Sequence, residues 1–161
     1  MILGMTLFTF LHVAISLVGI ATGLVVANGL LTSRRLDRWT LIFLITTLAT
    51  SVTGFLFPIH GPTPALVVGA ISTVILIAAF AARYSFNMMG AWRWIYVVTA
   101  MIALYFNVFV LIVQAFLKIP PLTALAPTQS EPPFAIVQGL ALIFLIVLGV
   151  FAVRRFHPPA V

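Results

Sequence analysis

The sequence has no cysteine, which excludes disulfides, thiolate metal sites and cysteine nucleophiles. It has two acids, Asp37 and Glu131, and one lysine, Lys118. The acids flank different apolar segments at opposite ends, so two-carboxylate catalysis would have to bridge those segments. Carboxylate cages for divalent cations fail for the same reason. No GxxxxGK[ST], GxGxxG, HExxH or Ser/His/Asp set is present. Residues 1–33 hold no Lys or Arg, so an ordinary signal peptide with a charged first region is not expected. The set of absences points away from an enzyme.

Charge is scarce too. Charged residues make up 6% of the chain, against about 25% in a soluble domain. So few charges cannot solvate a globular surface in water. Hydrophobic residues make up 63%, and the alternative solvent is lipid, where apolar side chains face outward. The formal net charge is +6. In a soluble protein that would suggest nucleic acid. Here the arginines sit in short clusters beside apolar runs, the pattern of topogenic charges, so the expected partner is the bilayer and not nucleic acid.

Five apolar segments, about 6–31, 39–57, 64–82, 94–117 and 134–153, approach the length of about 20 residues that a helix needs to cross a core of about 30 Å. The expectation is an all-α, polytopic transmembrane helix bundle with five spanning helices, in one domain covering 1–161. The alternative is four spans and one re-entrant segment. Thr63 and Pro64 suit the N-cap and first position of the third helix. No internal repeat of the inverted-transporter kind is visible.

Seven arginines (34, 35, 38, 83, 93, 154, 155) fall in the first and third connections and the C-terminal tail, and Lys118 stands alone on the other side. The positive-inside rule then places the C-terminus in the cytoplasm and the N-terminus outside, in the periplasm of a bacterial inner membrane. Trp39, Trp92 and Trp94 fall at the arginine-rich interface, where amphipathic rings are favoured.

Polar groups inside the apolar segments gather toward the other end. His12, Ser16, Gly19 and Gly23 follow helical spacing on one face, and Gly19 and Gly23 give a GxxxG pair for close helix approach. His12 reads either as a packing histidine bonded to a neighbour, or as a haem ligand, metal ligand or proton-transfer group. The second segment carries Thr46, Thr47, Thr50, Ser51 and Thr53, which can bond their own backbone or a facing helix. Asn107, Gln114 and Lys118 share a face of the fourth segment, with Asn107 roughly 15 Å below its outer end. Gln138 lies at a similar depth to Gln114, and His60 sits in the outer turn. The candidate ligand-binding set is His12, His60, Asn107, Gln114 and Gln138, with the loop 118–133 as a lid carrying Lys118 and Glu131. Bis-histidine haem ligation by His12 and His60 is one arrangement this set allows. Interhelical amide and imidazole bonds account for the same residues with no ligand at all.

Lys118 and Glu131 also fit as helix-end charges. Ser130 is an expected N-cap with Glu131 in the first turn, and Lys118 suits a helix C-terminus, each worth about 0.3–1 kcal/mol at an exposed site. An ion pair between them would close the loop. Asp37 reads as a local neutraliser among Arg34, Arg35 and Arg38.

His12, the spaced glycines, the Arg-rich turn and the Thr-rich segment ending in TGFLFP form one pattern, and NVFVLIVQAFLKIPPLTALAPTQSEPPF forms a second. Together they resemble small bacterial inner-membrane proteins of the domain-of-unknown-function kind. The resemblance implies the membrane and carries no assigned activity. The leading expectation is a binding or redox-accessory subunit holding an apolar ligand with a polar head: quinone, lipid or haem. The alternatives are a structural or assembly subunit beside other membrane subunits, and a homo-oligomeric transporter or channel.

Overall fold

The computed structural model describes residues 6–57 and 64–159. Six helices account for most of them, and no strand occurs among the described residues. Helix α1 spans Leu7–Leu31, α2 Asp37–Gly54, α3 Pro64–Phe80, α4 Ala91–Lys118, α5 Pro120–Leu125 and α6 Pro132–Arg155. Helices α1, α4 and α6, and the stretch Leu66–Ser85 that continues α3, are long and apolar enough to cross a membrane. Helix α2 has 18 residues, and it opens on Asp37 and Arg38. Those charges and its hydroxyl residues lower its hydropathy below that of its neighbours.

The helix ends follow local chemistry. The Thr6 hydroxyl accepts from the Thr9 N–H and caps α1. Pro64 occupies the first position of α3 as expected, while Thr63 lies outside the described residues. Two expectations need correction. The stretch 118–133 is not loop throughout, because Pro120 starts the short helix α5. Arg83 does not begin a loop, because α3 runs on through a π turn, Ala81–Ser85, that holds its side chain inside the protein.

Helix α4 is the centre of the bundle, packing against α3, α6, α1 and α2, while α1 lies along α2. Gly23 explains the close approach there. A Cβ on it would lie 2.7 Å from Leu104 Cδ1 and 2.8 Å from Phe43 Cε2. One turn away, a Cβ on Gly19 would lie 3.3 Å from Thr47 Oγ1. The GxxxG pair is therefore the place where α1 meets both α2 and α4.

The tight core lies in one half of the bundle. It holds Val26 and Leu30 near the end of α1, Phe43 and Leu44 near the start of α2, Leu76 and Ala79 late in α3, and Tyr96, Val97 and Leu104 early in α4. All belong to the arginine-rich end. Large apolar side chains face outward along the helices: Val74 and Ile77 of α3 and Leu140 and Ile143 of α6 are each more than 60% exposed. Such a surface suits lipid and not water.

Candidate functional site

The half without the tight core contains a cavity of about 590 Å³ between α1, α2, α3 and α4. His12 from α1, Ser72 from α3, and Asn107, Gln114 and Lys118 from α4 line it. Apolar residues such as Ile20, Phe55 and Val110 supply much of the wall. A mostly apolar cavity of this size with a few convergent polar groups has the form of a small-molecule site.

Each polar residue is positioned by its helix. His12 Nδ1 lies 2.7 Å from Thr53 Oγ1. The Thr53 hydroxyl donates to the Ala49 carbonyl at 2.7 Å, so it accepts from His12. In the neutral ring this arrangement puts the proton on Nδ1 and leaves the lone pair on Nε2. The imidazole also meets the Phe57 ring edge-on, with centroids 5.0 Å apart. Ser16, on the same face, is satisfied by its own helix, donating to the His12 carbonyl at 2.7 Å.

Asn107 Nδ2 donates to Thr47 Oγ1 at 2.9 Å, so one side of the amide ties α4 to α2. The Gln114 side chain is half-buried and Lys118 is exposed, and both line the cavity without a hydrogen bond or ion pair to any described residue. The helical spacing of 107, 114 and 118 places all three on the cavity wall.

Other expected site residues lie elsewhere. Gln138 is buried against α4, where Nε2 donates to the Phe109 carbonyl at 3.1 Å, and it does not line the cavity. Its Oε1 is buried with no partner among the described residues. His60 lies outside the described residues, and so does any bis-histidine arrangement with His12. No group of three or more His, Cys, Asp or Glu that could hold a metal occurs among the described residues.

Glu131 is in the loop and away from the cavity. Its carboxylate accepts from the Thr128 N–H at 3.1 Å, the Thr128 hydroxyl at 2.9 Å and the Ser130 N–H at 3.0 Å. Glu131 itself is the N-cap of α6, so the expected Ser130 cap is not formed. Desolvation pushes the carboxyl pKa up, but these bonds together outweigh it and hold the pKa below its ordinary value. No ion pair joins Glu131 to Lys118 among the described residues. The loop is held down by a residue that sequence reasoning passed over: Gln129 Nε2 donates to the Val113 carbonyl at 3.0 Å.

A second polar cluster, at the arginine-rich end, was also missed. Arg83 is 2% exposed. It donates to Asp37 Oδ1, to the Arg35 carbonyl at 3.1 Å and to Met88 Sδ at 3.0 Å. Its guanidinium lies 5.3 Å from the Tyr96 ring centroid, and the Tyr96 hydroxyl is 3.2 Å from Thr40 Oγ1. Asp37 is therefore more than a neutraliser of its sequence neighbours. It joins the first Arg-rich turn to the end of α3, with Arg35 Nε at 3.7 Å. Nearby, Arg93 donates to the Val153 and Phe156 carbonyls at 3.1 and 2.6 Å and closes the C-terminus of α6.

The described residues define an all-helical protein with four helices long and apolar enough to cross a membrane. Compared with family models, curated proteins and solved structures, the chain has no significant match.

Proposed function

We propose that the protein is a five-span inner-membrane protein of bacterial type that holds an apolar ligand with a hydrogen-bonding head. The site is the cavity of α1–α4. The observation that carries this reading is the convergence of Asn107, Gln114, Lys118 and His12 on one mostly apolar cavity. Gln114 and Lys118 bond to no described residue there, and lipid tails offer no partner. A quinone or lipid head would meet them, with its apolar part against Ile20, Phe55 and Val110. Haem is the narrower variant, with His12 Nε2 as its ligand.

Helix α2 serves as the fifth span in this proposal. Its 18 residues cover about 27 Å. Its hydroxyls are safe in lipid because Thr46, Thr50 and Thr53 donate to the carbonyls of Ile42, Thr46 and Ala49. The arginines lie at one end of the bundle and Lys118 at the other, so the positive-inside rule places the cavity in the outer half, toward the periplasm.

A structural or assembly role is the second reading. It is favoured by the Asn107–Thr47 and Gln138–Phe109 bonds, in which the amide N–H groups join helices without a ligand. The two readings separate on the protein purified from its native membrane. Solvent extraction and mass spectrometry should find a quinone or lipid enriched over the bulk membrane, and Gln114→Leu should lose it. No enriched species in the wild-type protein would leave the assembly role. A visible spectrum without a Soret band after haem-supplied expression would remove the haem variant.

A further inference from the structure

A second site, independent of the outer cavity, lies on the opposite face of α4. An open groove of about 370 Å³ runs between α4 and α6. Met101, Ile102 and Tyr105 form one wall, and Leu142, Ile146 and Gly149 form the other. Arg154 closes its arginine-rich end. From Leu142 to Arg154 the groove follows twelve residue steps of α6, about 18 Å. That is close to one leaflet of a core of about 30 Å.

The arginines at this end differ in what they do. Arg83 is taken by Asp37, and Arg93 by the carbonyls that end α6. Arg155 lies 5.7 Å from the Phe151 ring centroid. Arg154 is exposed and has no hydrogen bond or ion pair to any described residue. A guanidinium at the end of an apolar groove calls for an anion with an apolar tail. The chain cannot readily supply that anion from its own acidic side chains. It has two, Asp37 and Glu131. Asp37 is held by Arg83 and Arg35. Glu131 is held by Thr128 and Ser130 at the other end of the bundle. A second copy of the chain would offer the same two occupied acids.

We infer that the α4–α6 groove binds one anionic phospholipid, with an acyl chain along Met101 and Gly149 and its phosphate on Arg154. Gly149 keeps the groove open. A Cβ there would lie 3.8 Å from Met101 Cβ, so the backbone tolerates a side chain and the groove would be filled by one.

Native mass spectrometry of protein released from vesicles of equimolar phosphatidylglycerol and phosphatidylcholine tests this. The wild-type protein should retain phosphatidylglycerol in preference. Arg154→Ala should reduce that preference about fivefold, the effect of one basic residue near an anionic surface. Arg154→Lys should keep most of it. Gly149→Leu, with every charge intact, should remove the bound lipid, while Arg155→Ala should leave it. Circular dichroism on each variant confirms wild-type helicity. Three results would overturn the assignment: no preference between the lipids, equal losses from Arg154→Ala and Arg155→Ala, or a dimer mass that Gly149→Leu abolishes. The last would make the groove a contact between copies.

Discussion

Asp37 accepts a hydrogen bond from Arg83, which lies 46 residues further along the chain. The pair joins the α1–α2 turn to the π turn at the end of α3. The two partners are unequal: Arg83 is almost wholly buried, while the Asp37 side chain is 71% exposed. Removing the acid strands a buried guanidinium, although the Arg35 carbonyl and the Tyr96 ring still face it. A buried pair broken from one side costs about 3–5 kcal/mol. The exposure of Asp37 and the surviving partners reduce that to about 1–3 kcal/mol. Asp37→Ala should therefore lower the melting temperature in detergent. Asp37→Asn, which keeps an acceptor oxygen, should lower it less. Equal melting of Asp37→Ala and wild type would remove the pair from the list of things that hold the bundle.

Gly23→Ala tests the helix crossing. The added methyl would meet Leu104 and Phe43 at 2.7–2.8 Å, so these side chains must shift, and at about 1% exposure both do so inside the packed core. Overpacking of this kind costs about 1–3 kcal/mol. Gly139→Ala is the matched control, because nothing lies within 4 Å of its added Cβ. That variant should be neutral or stabilised by about 0.5–1 kcal/mol through helix propensity. Thermal unfolding of the two variants in one detergent checks the contrast.

These two sites mark what the sequence could and could not convey. Helical spacing placed Asn107, Gln114 and Lys118 on one face, and the cavity lies against that face. The glycine spacing on α1 gave the crossing, because close approach needs the missing Cβ itself. Arg83 was out of reach, since an arginine after an apolar run looks the same whether it ends a helix at the interface or turns back into a π turn. Gln138 was placed by depth, and depth does not fix direction; its amide turns to the Phe109 carbonyl and away from the cavity. Ser130 suits a cap by residue type, but α6 starts one residue later: Glu131 holds the N-cap position without a side-chain cap bond, and its carboxylate turns back to Thr128 and Ser130.

The loop before α6 should loosen in acid. The folded-state pKa of Glu131 is depressed, so its contribution is fully present above the ordinary carboxylate pKa of about 4.3. It is lost as the pH falls below that value and through the lower folded pKa. Protonation weakens the carboxylate's hold on Thr128 and Ser130, and the neighbouring Gln129–Val113 bond loses its support. Amide hydrogen exchange over residues 126–131 should rise at pH 3 relative to pH 6, after correction for the intrinsic pH dependence of exchange. In Glu131→Gln the protection should be low at both pH values. An unchanged acid response in that variant would place the titrating group elsewhere.

Asn107 and Gln114 are seven residues apart on the same face of α4, yet they should respond differently to substitution. Asn107 carries a load between helices through Thr47, whose side chain is fully buried. Interhelical bonds of this type in membranes average about 0.6 kcal/mol, with a maximum of about 1.7. Asn107→Ala should thus cost about 1 kcal/mol and lower the melting temperature. Gln114 bonds to no described residue, so Gln114→Leu removes nothing from the folded chain and places apolar surface against an apolar wall. Its melting temperature, measured on delipidated protein, should match or exceed that of wild type. The amount of amphiphile that co-purifies should fall in Gln114→Leu all the same, because the head loses its amide partner. Stability lost together with the ligand in Asn107→Ala, and ligand lost alone in Gln114→Leu, is the pattern of a binding cavity built on a packed helix. Comparable destabilisation by the two variants would instead make Gln114 a packing residue and withdraw it from the site.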